Sequence, residues 1–315
     1  MSLFMSKKRP LTGMERIRRR RTLFAMLLIA WPVFMFVFAQ VVNMNMFYMA
    51  FHSYSRVDLD PQFVGWDNFE GVFKMFDQAK VVNEWQAVKN SVEVGFVTLC
   101  INAPVSLLFA YLIFSKVPGY KPLRALLYLP CVTSAVVLVL IFRNFFDYDG
   151  ALHMIYQVLG VGDKFPANGW FVQPYAWTAI QIFNIWTGFS QNMMFFLSSM
   201  NRVSDDFVEA AKLDGATEPQ IFFKIVLPLI SPTVVTMLTI ALASVFGWGQ
   251  QSLLFMDSMA ASEGAGAIGL TMLNLAKSYN FGPASAYGVM LTLIGAPITL
   301  CFRALGRKFS VSEEY

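Results

Sequence analysis

Six long apolar runs constrain this chain more than any other feature of its sequence. Each is long enough, or nearly so, for the roughly 20 residues that an α-helix needs to cross the hydrocarbon core of a bilayer. The runs are continuously apolar rather than alternating, so they predict helices and not the strands of a barrel. We place them at Leu23–Phe51, Ser91–Phe114, Leu123–Phe146, Val172–Met200, Leu229–Met256 and Ala284–Ala304. The sequence therefore predicts an all-α, polytopic membrane protein with six transmembrane helices.

The composition excludes a soluble protein. Of the 315 residues, 56% are hydrophobic and only 14% are charged, against about 25% charged in an ordinary soluble domain. The three cysteines, Cys100, Cys131 and Cys301, lie far apart in apolar runs. We therefore expect buried, inert thiols and neither disulfides nor a zinc site. The two histidines, His52 and His153, have no partner at metal-ligand spacing, so we expect no metal site.

Lysine and arginine are distributed unevenly along this topology. Seventeen of the 24 fall on the side that carries both termini, and eight of them lie within residues 7–21. Basic loops stay on the cytoplasmic side of a membrane, so we expect both termini to be cytoplasmic. The predicted organisation is a basic cytoplasmic arm at 1–22, a six-helix domain at 23–306 and a cytoplasmic tail at 307–315. The arm is suited to anionic lipid, and we expect no nucleic acid partner.

The cytoplasmic loop between the fourth and fifth runs, residues 203–228, has the pattern of two short helices joined by a turn. Ser204 can cap the first helix, and Gly215 can adopt the left-handed conformation that ends it. Thr217 begins a capping-box pattern for the second helix, which we expect to end before Pro228. The predicted apolar faces are Phe207, Ala210 and Ala211 in the first helix, and Ile221, Phe222 and Ile225 in the second.

The same loop resembles the EAA loop of the permeases of ABC importers. The resemblance is carried by Glu209-Ala210-Ala211, Asp214-Gly215-Ala216 and Ile225-Val226-Leu227-Pro228 with Pro232. Other segments are similar to the carbohydrate-type permeases of the maltose and glycerol-phosphate transporter class: Phe63–Phe69, Leu127–Pro130, Gly150–Leu152, Trp170, and Trp186 with Gly188. Together they cover most of the chain from the first helix onward. The resemblance implies a type I ABC importer permease fold in a bacterial inner membrane.

The resemblance also implies a set of partners. The residues expected to couple this chain to a separate ATP-binding subunit are Glu209, Ala210, Ala211, Asp214, Gly215 and Ala216. The family further implies a second homologous permease, two ATP-binding subunits and an extracytoplasmic solute-binding protein. This chain has no Gly-x-x-x-x-Gly-Lys-Ser/Thr phosphate loop and no catalytic constellation. We therefore expect it not to be an enzyme and to bind no cofactor, with ATP and magnesium held by the partner subunits.

Polar residues inside the apolar runs are candidates for a substrate pathway. Gln181, Asn184, Gly188 and Gln191 share one face of the fourth predicted helix, and Ser244, Trp248 and Gln251 share a face of the fifth, beside Gln250. Amides and a tryptophan suit a sugar, whereas hydrogen bonding between helices is the structural alternative. We interpret Asn102 as a packing contact, and expect Glu93 and Arg143 to form an ion pair.

The resemblance implies that the cargo is a sugar or an oligosaccharide, but the residues leave other interpretations open. One is an importer of another organic solute, such as a polyamine or glycerol phosphate, although few carboxylates lie within the runs. A stand-alone channel is a second alternative, which the need for ATPase partners would distinguish. A membrane-embedded enzyme is disfavoured by the lack of histidine clusters and paired carboxylates.

Overall fold

The computed structural model describes residues 13–53, 60–77, 84–166, 169–247, 255 and 264–309. These residues are mostly helical, as the apolar runs predict. Within the described ranges, the one sheet is an antiparallel ribbon of β1 (His52–Ser53) and β2 (Gln62–Phe63). The predictions for residues 1–12 and 310–315 lie outside the described residues.

Helix α1 (Gly13–Ala50) begins inside the predicted basic arm. None of its most apolar stretch is buried within the chain. Near its C-terminal end, Ala50 joins a buried cluster with Phe69 and Tyr287. Phe69 belongs to α2 (Asp67–Asp77), a short surface helix. An apolar surface as extensive as that of α1 is suited to lipid or to another membrane chain.

The second apolar run forms one continuous helix, Glu84–Phe114. It consists of α3 (Glu84–Val97), a π-helical turn (Thr98–Asn102) and α4 (Ala103–Phe114). Pro104 follows the turn and has no N–H to donate to the carbonyl four residues earlier. The wider turn accommodates that missing bond without ending the helix.

The prediction of a single helix for the third run is wrong. The chain forms α5 (Tyr120–Val132) and α6 (Ala135–Phe146). The segment Ala135–Val158, which begins with α6, is bent by 107° from α5. Thr133 has extended backbone angles, and its hydroxyl donates to the carbonyl of Leu129 at 2.8 Å. A side chain that satisfies a helical carbonyl in this way competes with the backbone bond that would continue the helix.

The remaining described elements follow in chain order. They are α7 (Ala151–Val158), a 3₁₀ turn (Gly162–Lys164), α8 (Ala176–Met200), α9 (Asp205–Leu213), α10 (Glu218–Ile221), a π turn (Phe222–Val226), α11 (Leu227–Ser244), a 3₁₀ turn (Val245–Gly247), α12 (Ile268–Lys277) and α13 (Phe281–Phe309).

The helices long and apolar enough to cross a membrane number four among the described residues, or five if the bent pair is one span. They are Arg21–Ala50, Glu84–Phe114, Glu218–Gly247 and Phe281–Lys308, with the bent pair Tyr120–Val132 and Ala135–Val158. Helix α8 corresponds to the fourth predicted run and has 25 residues. Its amides and hydroxyls make it less apolar than the four helices named above. The structure thus supports a multi-helix membrane protein, and the count of six remains a prediction.

Helix α8 lies at the centre of the packing. Near one end, Ile180 and Phe183 join a buried cluster with Phe142 of α6. Near the other, Met193 and Phe196 join a second cluster with α4, α9, α10 and α11. The helices that pack against α8 therefore determine the shape of any space beside it.

All three cysteines are exposed, which contradicts the prediction of buried thiols. In a membrane protein an apolar sequence context does not imply burial, because a side chain facing lipid is equally apolar in its surroundings.

Candidate functional site

A cleft of about 680 Å³ lies beside α8, between the Glu84–Phe114 helix, α5, α6 and α11. We call it the central cleft. Its polar lining consists of Thr98, Asn102, Thr133, Asn184, Thr187, Gln191, Asn192 and Ser244. Apolar side chains such as Phe183, Leu138 and Ile240 complete the walls. No lining residue in the described part of the chain is charged, so the cleft offers hydrogen bonds and apolar contact without a counter-ion.

The structure brings four of the eight predicted pathway residues to the central cleft: Asn184, Gly188, Gln191 and Ser244. Gln181 does not line it. Its side chain is buried, and its Oε1 lies 3.5 Å from Nδ2 of Asn184. The predictions for Trp248, Gln250 and Gln251 lie outside the described residues.

Asn102 lies at the centre of the arrangement, although we interpreted it from sequence as a packing contact. It lines the central cleft, and its Nδ2 donates to the carbonyl of Asn184 at 3.4 Å. Its Oδ1 is buried with no hydrogen-bond partner among the described residues. The lack of a side chain at Gly188 makes room for it, since a Cβ there would lie 2.7 Å from Nδ2. An asparagine in an apolar run was the available signal, but its partner lies 82 residues away.

Hydroxyl groups fix the walls around α8. Oγ of Ser106 shares its one hydrogen between the carbonyl of Asn102 at 2.5 Å and that of Phe189 at 3.0 Å, and the second contact ties α4 to α8. Ser190 donates to the carbonyl of Leu127 at 2.6 Å, which ties α5 to α8. Because each contact with α8 joins a small side chain to a backbone carbonyl of the next helix, the helices approach closely.

Glu93 does not form the predicted ion pair with Arg143. Its Oε2 accepts a hydrogen bond from Nε1 of Trp177 at 3.0 Å. Ion pairs between described residues include Lys74–Glu70 and Lys212–Glu218. In the first, the Lys74 ammonium lowers the pKa of the Glu70 carboxyl, chiefly through their hydrogen bond.

The 203–228 loop has the predicted caps and turn. Oγ of Ser204 accepts from the amide of Asp206 at 3.3 Å, and Gly215 has a φ of 80°. The amide of Thr217 donates to Oε1 of Gln220 at 2.8 Å. The predicted end before Pro228 is wrong, because Glu218–Gly247 is one continuous helix. The π turn before Pro228 accommodates that proline, as the earlier π turn accommodates Pro104.

The apolar face of α9 differs from the prediction. Val208 and Ala211 pack towards the neighbouring cluster, whereas Phe207 is 56% exposed and Ala210 is exposed. Leu213 and Phe223 are also exposed. Of the predicted coupling residues, Glu209, Ala210, Asp214 and Gly215 are exposed, Ala216 is half-buried and Ala211 is buried. The loop therefore presents a mixed apolar and acidic surface.

Membrane-length helices around an uncharged polar cleft, with a structured helix–turn–helix loop, define a solute-translocating membrane subunit. The chain belongs to the family described as the inner membrane component of binding-protein-dependent transport systems, whose model matches residues 102–311. It is a permease subunit and is not itself an enzyme. The resemblance of the chain to carbohydrate-type ABC-importer permeases is confirmed.

Several curated relatives are permeases of sugar transport systems. The chain is 27% identical over 267 residues to the probable ABC transporter permease protein YesP of Bacillus subtilis, covering 80% of this chain and 81% of that protein. It is 26% identical over 277 residues to the multiple sugar-binding transport system permease protein MsmF of Streptococcus mutans, covering 84% and 90%. It is 27% identical over 231 residues to the arabinooligosaccharides transport system permease protein AraP of Halalkalibacterium halodurans, covering 70% and 71%.

Solved structures show the same fold. A chain of a bacterial ABC transporter that imports the acidic polysaccharide alginate matches with a TM-score of 0.75 at 23% identity, covering 93% of this chain and 97% of that one. A chain of the bacterial alginate transporter in complex with a periplasmic protein bound to an alginate pentasaccharide also matches with a TM-score of 0.75, at 21% identity. That alignment covers 96% of this chain and 99% of that one.

Proposed function

We propose that this permease subunit carries sugars or oligosaccharides through the central cleft. The observation that supports the cargo is the lining: amides and hydroxyls beside apolar walls, with no charged side chain among the described residues. A sugar presents many hydroxyls that both donate and accept, and an amide does the same. A polyamine or glycerol phosphate would enter such a cleft without a counter-ion, at a large desolvation cost. The relatives named for sugar transport support the same cargo.

In this proposal the chain is one of a pair. It spans a bacterial inner membrane six times with both termini in the cytoplasm, beside a second homologous permease. A solute-binding protein delivers the cargo from outside, and two ATP-binding subunits dock on the cytoplasmic loops. They hold the ATP and magnesium, and this chain holds no cofactor. Glu209, Ala210, Ala211, Asp214, Gly215 and Ala216 form the contact with one of them, and their movement switches access to the central cleft.

The experiment that tests the proposal uses the whole complex, purified from native membranes and reconstituted in lipid vesicles. Mass spectrometry should identify a second permease and an ATP-binding subunit. The double variant Asn184→Leu with Gln191→Leu should lower sugar uptake by about tenfold without loss of assembly, because two amide contacts are removed. Gln157→Leu, the same change at an exposed position on α7, is the control.

The 203–228 loop is tested separately in the same experiment. Glu209→Lys should reduce co-purification of the ATP-binding subunit, since it reverses an exposed charge on α9. Asp163→Lys makes the same reversal in the 3₁₀ turn Gly162–Lys164 and should have no effect. Isolation of the chain as a homo-oligomer without any ATPase would reject the importer and favour a channel. Unchanged uptake in the double variant would remove the central cleft from the pathway.

A further inference from the structure

Glu218 joins three elements of the chain at the loop end of the bundle. Its Oε2 accepts a hydrogen bond from Oη of Tyr111 at 2.6 Å, and its backbone carbonyl lies 3.0 Å from the same hydroxyl. Its Oε1 lies 3.2 Å from Nζ of Lys212. Lys212 belongs to α9, Tyr111 to α4, and Glu218 begins α10. One carboxylate thus connects the first helix of the loop to two membrane helices.

We propose that Glu218 is a positioning residue that transmits movement of the 203–228 loop to the central cleft. The inference rests on the proposed coupling function and adds the route by which the loop acts. Glu209 is exposed, so it is suited to contact with a partner. Glu218 is also about half exposed, but its carboxylate accepts a hydrogen bond from buried Tyr111, so it is suited to pass a movement of the loop on to the membrane helices.

The route runs from Glu218 through Tyr111 to Asn102. Tyr111 and Asn102 lie nine positions apart on one continuous helix, Glu84–Phe114, which corresponds to about 13 Å at 1.5 Å per residue. Asn102 is the end of the route, where it lines the central cleft and contacts α8 through the carbonyl of Asn184. A displacement at Tyr111 therefore changes the wall of the cleft, since a helix moves as a rigid unit.

The surroundings of Tyr111 hold its hydroxyl in place. The side chain is 8% exposed, and its ring packs against Phe222 with the ring centroids 4.8 Å apart. The second ring contact is with Phe114. Because packing fixes the ring, the hydroxyl is pre-organised for Glu218, and a bond to a carboxylate is stronger than one between neutral groups.

The contacts of Glu218 with Tyr111 and with Lys212 should contribute unequally. The pair with Lys212 is about half exposed on both sides, and solvent-exposed ion pairs contribute little. The bond to buried Tyr111 should dominate. We expect Tyr111→Phe and Glu218→Ala to have similar effects, Glu218→Gln a smaller effect because its amide oxygen still accepts, and Lys212→Met the smallest. The double variant Tyr111→Phe with Glu218→Ala should be no worse than the more affected single variant, because both remove one interaction.

The test measures solute transported per ATP hydrolysed by the whole complex in lipid vesicles, together with co-purification of the ATP-binding subunit. Tyr111→Phe should lower transport per ATP by about tenfold, the size expected for a hydrogen bond to a charged group, while co-purification is retained. Tyr120→Phe is the matched control, because Tyr120 packs against the same cluster without appearing in the route.

The outcomes separate this inference from the proposed function. Unchanged transport per ATP in both Tyr111→Phe and Glu218→Ala would overturn the relay, even if Glu209→Lys releases the ATP-binding subunit. Equal losses in Tyr111→Phe and Tyr120→Phe would also overturn it, because general loosening of the cluster would then explain both. If Glu218→Ala fails to assemble, Tyr111→Phe decides, since it keeps the ring and removes one oxygen. A wild-type complex without any ATPase would reject both proposals.

Discussion

At the scale of the residue, Asn90 joins distant parts of the chain outside the central cleft. It is fully buried in α3, and its Nδ2 donates to the carbonyls of Gly264 and Gly266 at 2.9 and 2.7 Å. Its Oδ1 accepts from Nε2 of Gln86 at 2.8 Å. One side chain thereby satisfies backbone carbonyls that lie more than 170 positions away along the chain.

We predict that Asn90→Asp destabilises the protein by about 1–3 kcal/mol, because it replaces a donor with an acceptor facing two carbonyls. Thermal unfolding of the detergent-purified complex, followed by tryptophan fluorescence, should show a lower midpoint. Asn144→Asp, the same change at an exposed position, should leave the midpoint unaltered. An equal midpoint in the two variants would show that the contacts of Asn90 contribute no net stability.

The site could be predicted in part at this scale. Spacing alone placed Asn184, Gly188 and Gln191 on one face, because a helix fixes that relation whatever surrounds it. Spacing could not separate Gln181, which belongs to the same row but turns into the packing. It also missed Asn102, because only the tertiary structure brings its helix to Gly188.

At the scale of the element, the close approach of the Glu84–Phe114 helix to α8 depends on Gly188. A Cβ there would lie 2.7 Å from Nδ2 of Asn102, so Gly188→Ala must displace Asn102 or separate the helices. Overpacking of this kind typically costs about 1–3 kcal/mol. We predict that Gly188→Ala lowers both the thermal midpoint and sugar uptake.

Gly71→Ala is the matched control for that prediction. Gly71 lies inside α2, and a Cβ there would meet no atom within 4 Å. Alanine favours a helix over glycine by about 0.5–1 kcal/mol, so this variant should be neutral or slightly stabilising. If Gly188→Ala behaves in the same way, Asn102 can move aside freely and does not depend on the glycine.

The limits of sequence at this scale concern where helices stop. The turn at Gly215 could be predicted because a left-handed residue has a local cause. The end expected before Pro228 is wrong, and the break after Val132 was not expected. Pro228 removes one backbone hydrogen bond, but the helix continues because a wider π turn precedes it. At Thr133 the side chain bonds the helical carbonyl of Leu129, and the helix ends.

At the scale of the whole molecule, the class of protein could be predicted from the sequence, but the surroundings of its exposed side chains could not. Apolar runs identify a membrane protein, but they do not show whether an exposed side chain faces lipid, a partner chain or a water-filled cleft. The cysteines illustrate this, since all three were predicted buried and all three are exposed. Cys131 lines the central cleft, whereas Cys301 lies on the Phe281–Lys308 helix and does not.

That difference yields a test of the cleft as an aqueous path. In a chain that keeps Cys131 alone, with Cys100→Ser and Cys301→Ser, a charged methanethiosulfonate reagent should modify the thiol, because the reactive thiolate forms in water and not in lipid. A chain that keeps Cys301 alone should react more slowly by about tenfold or more. Transported sugar should slow the reaction at Cys131 and leave Cys301 unchanged, since only the first shares the space of the cargo. Equal rates at both positions, with no effect of sugar, would mean that the central cleft is filled by lipid or by the partner permease and that solute passes elsewhere.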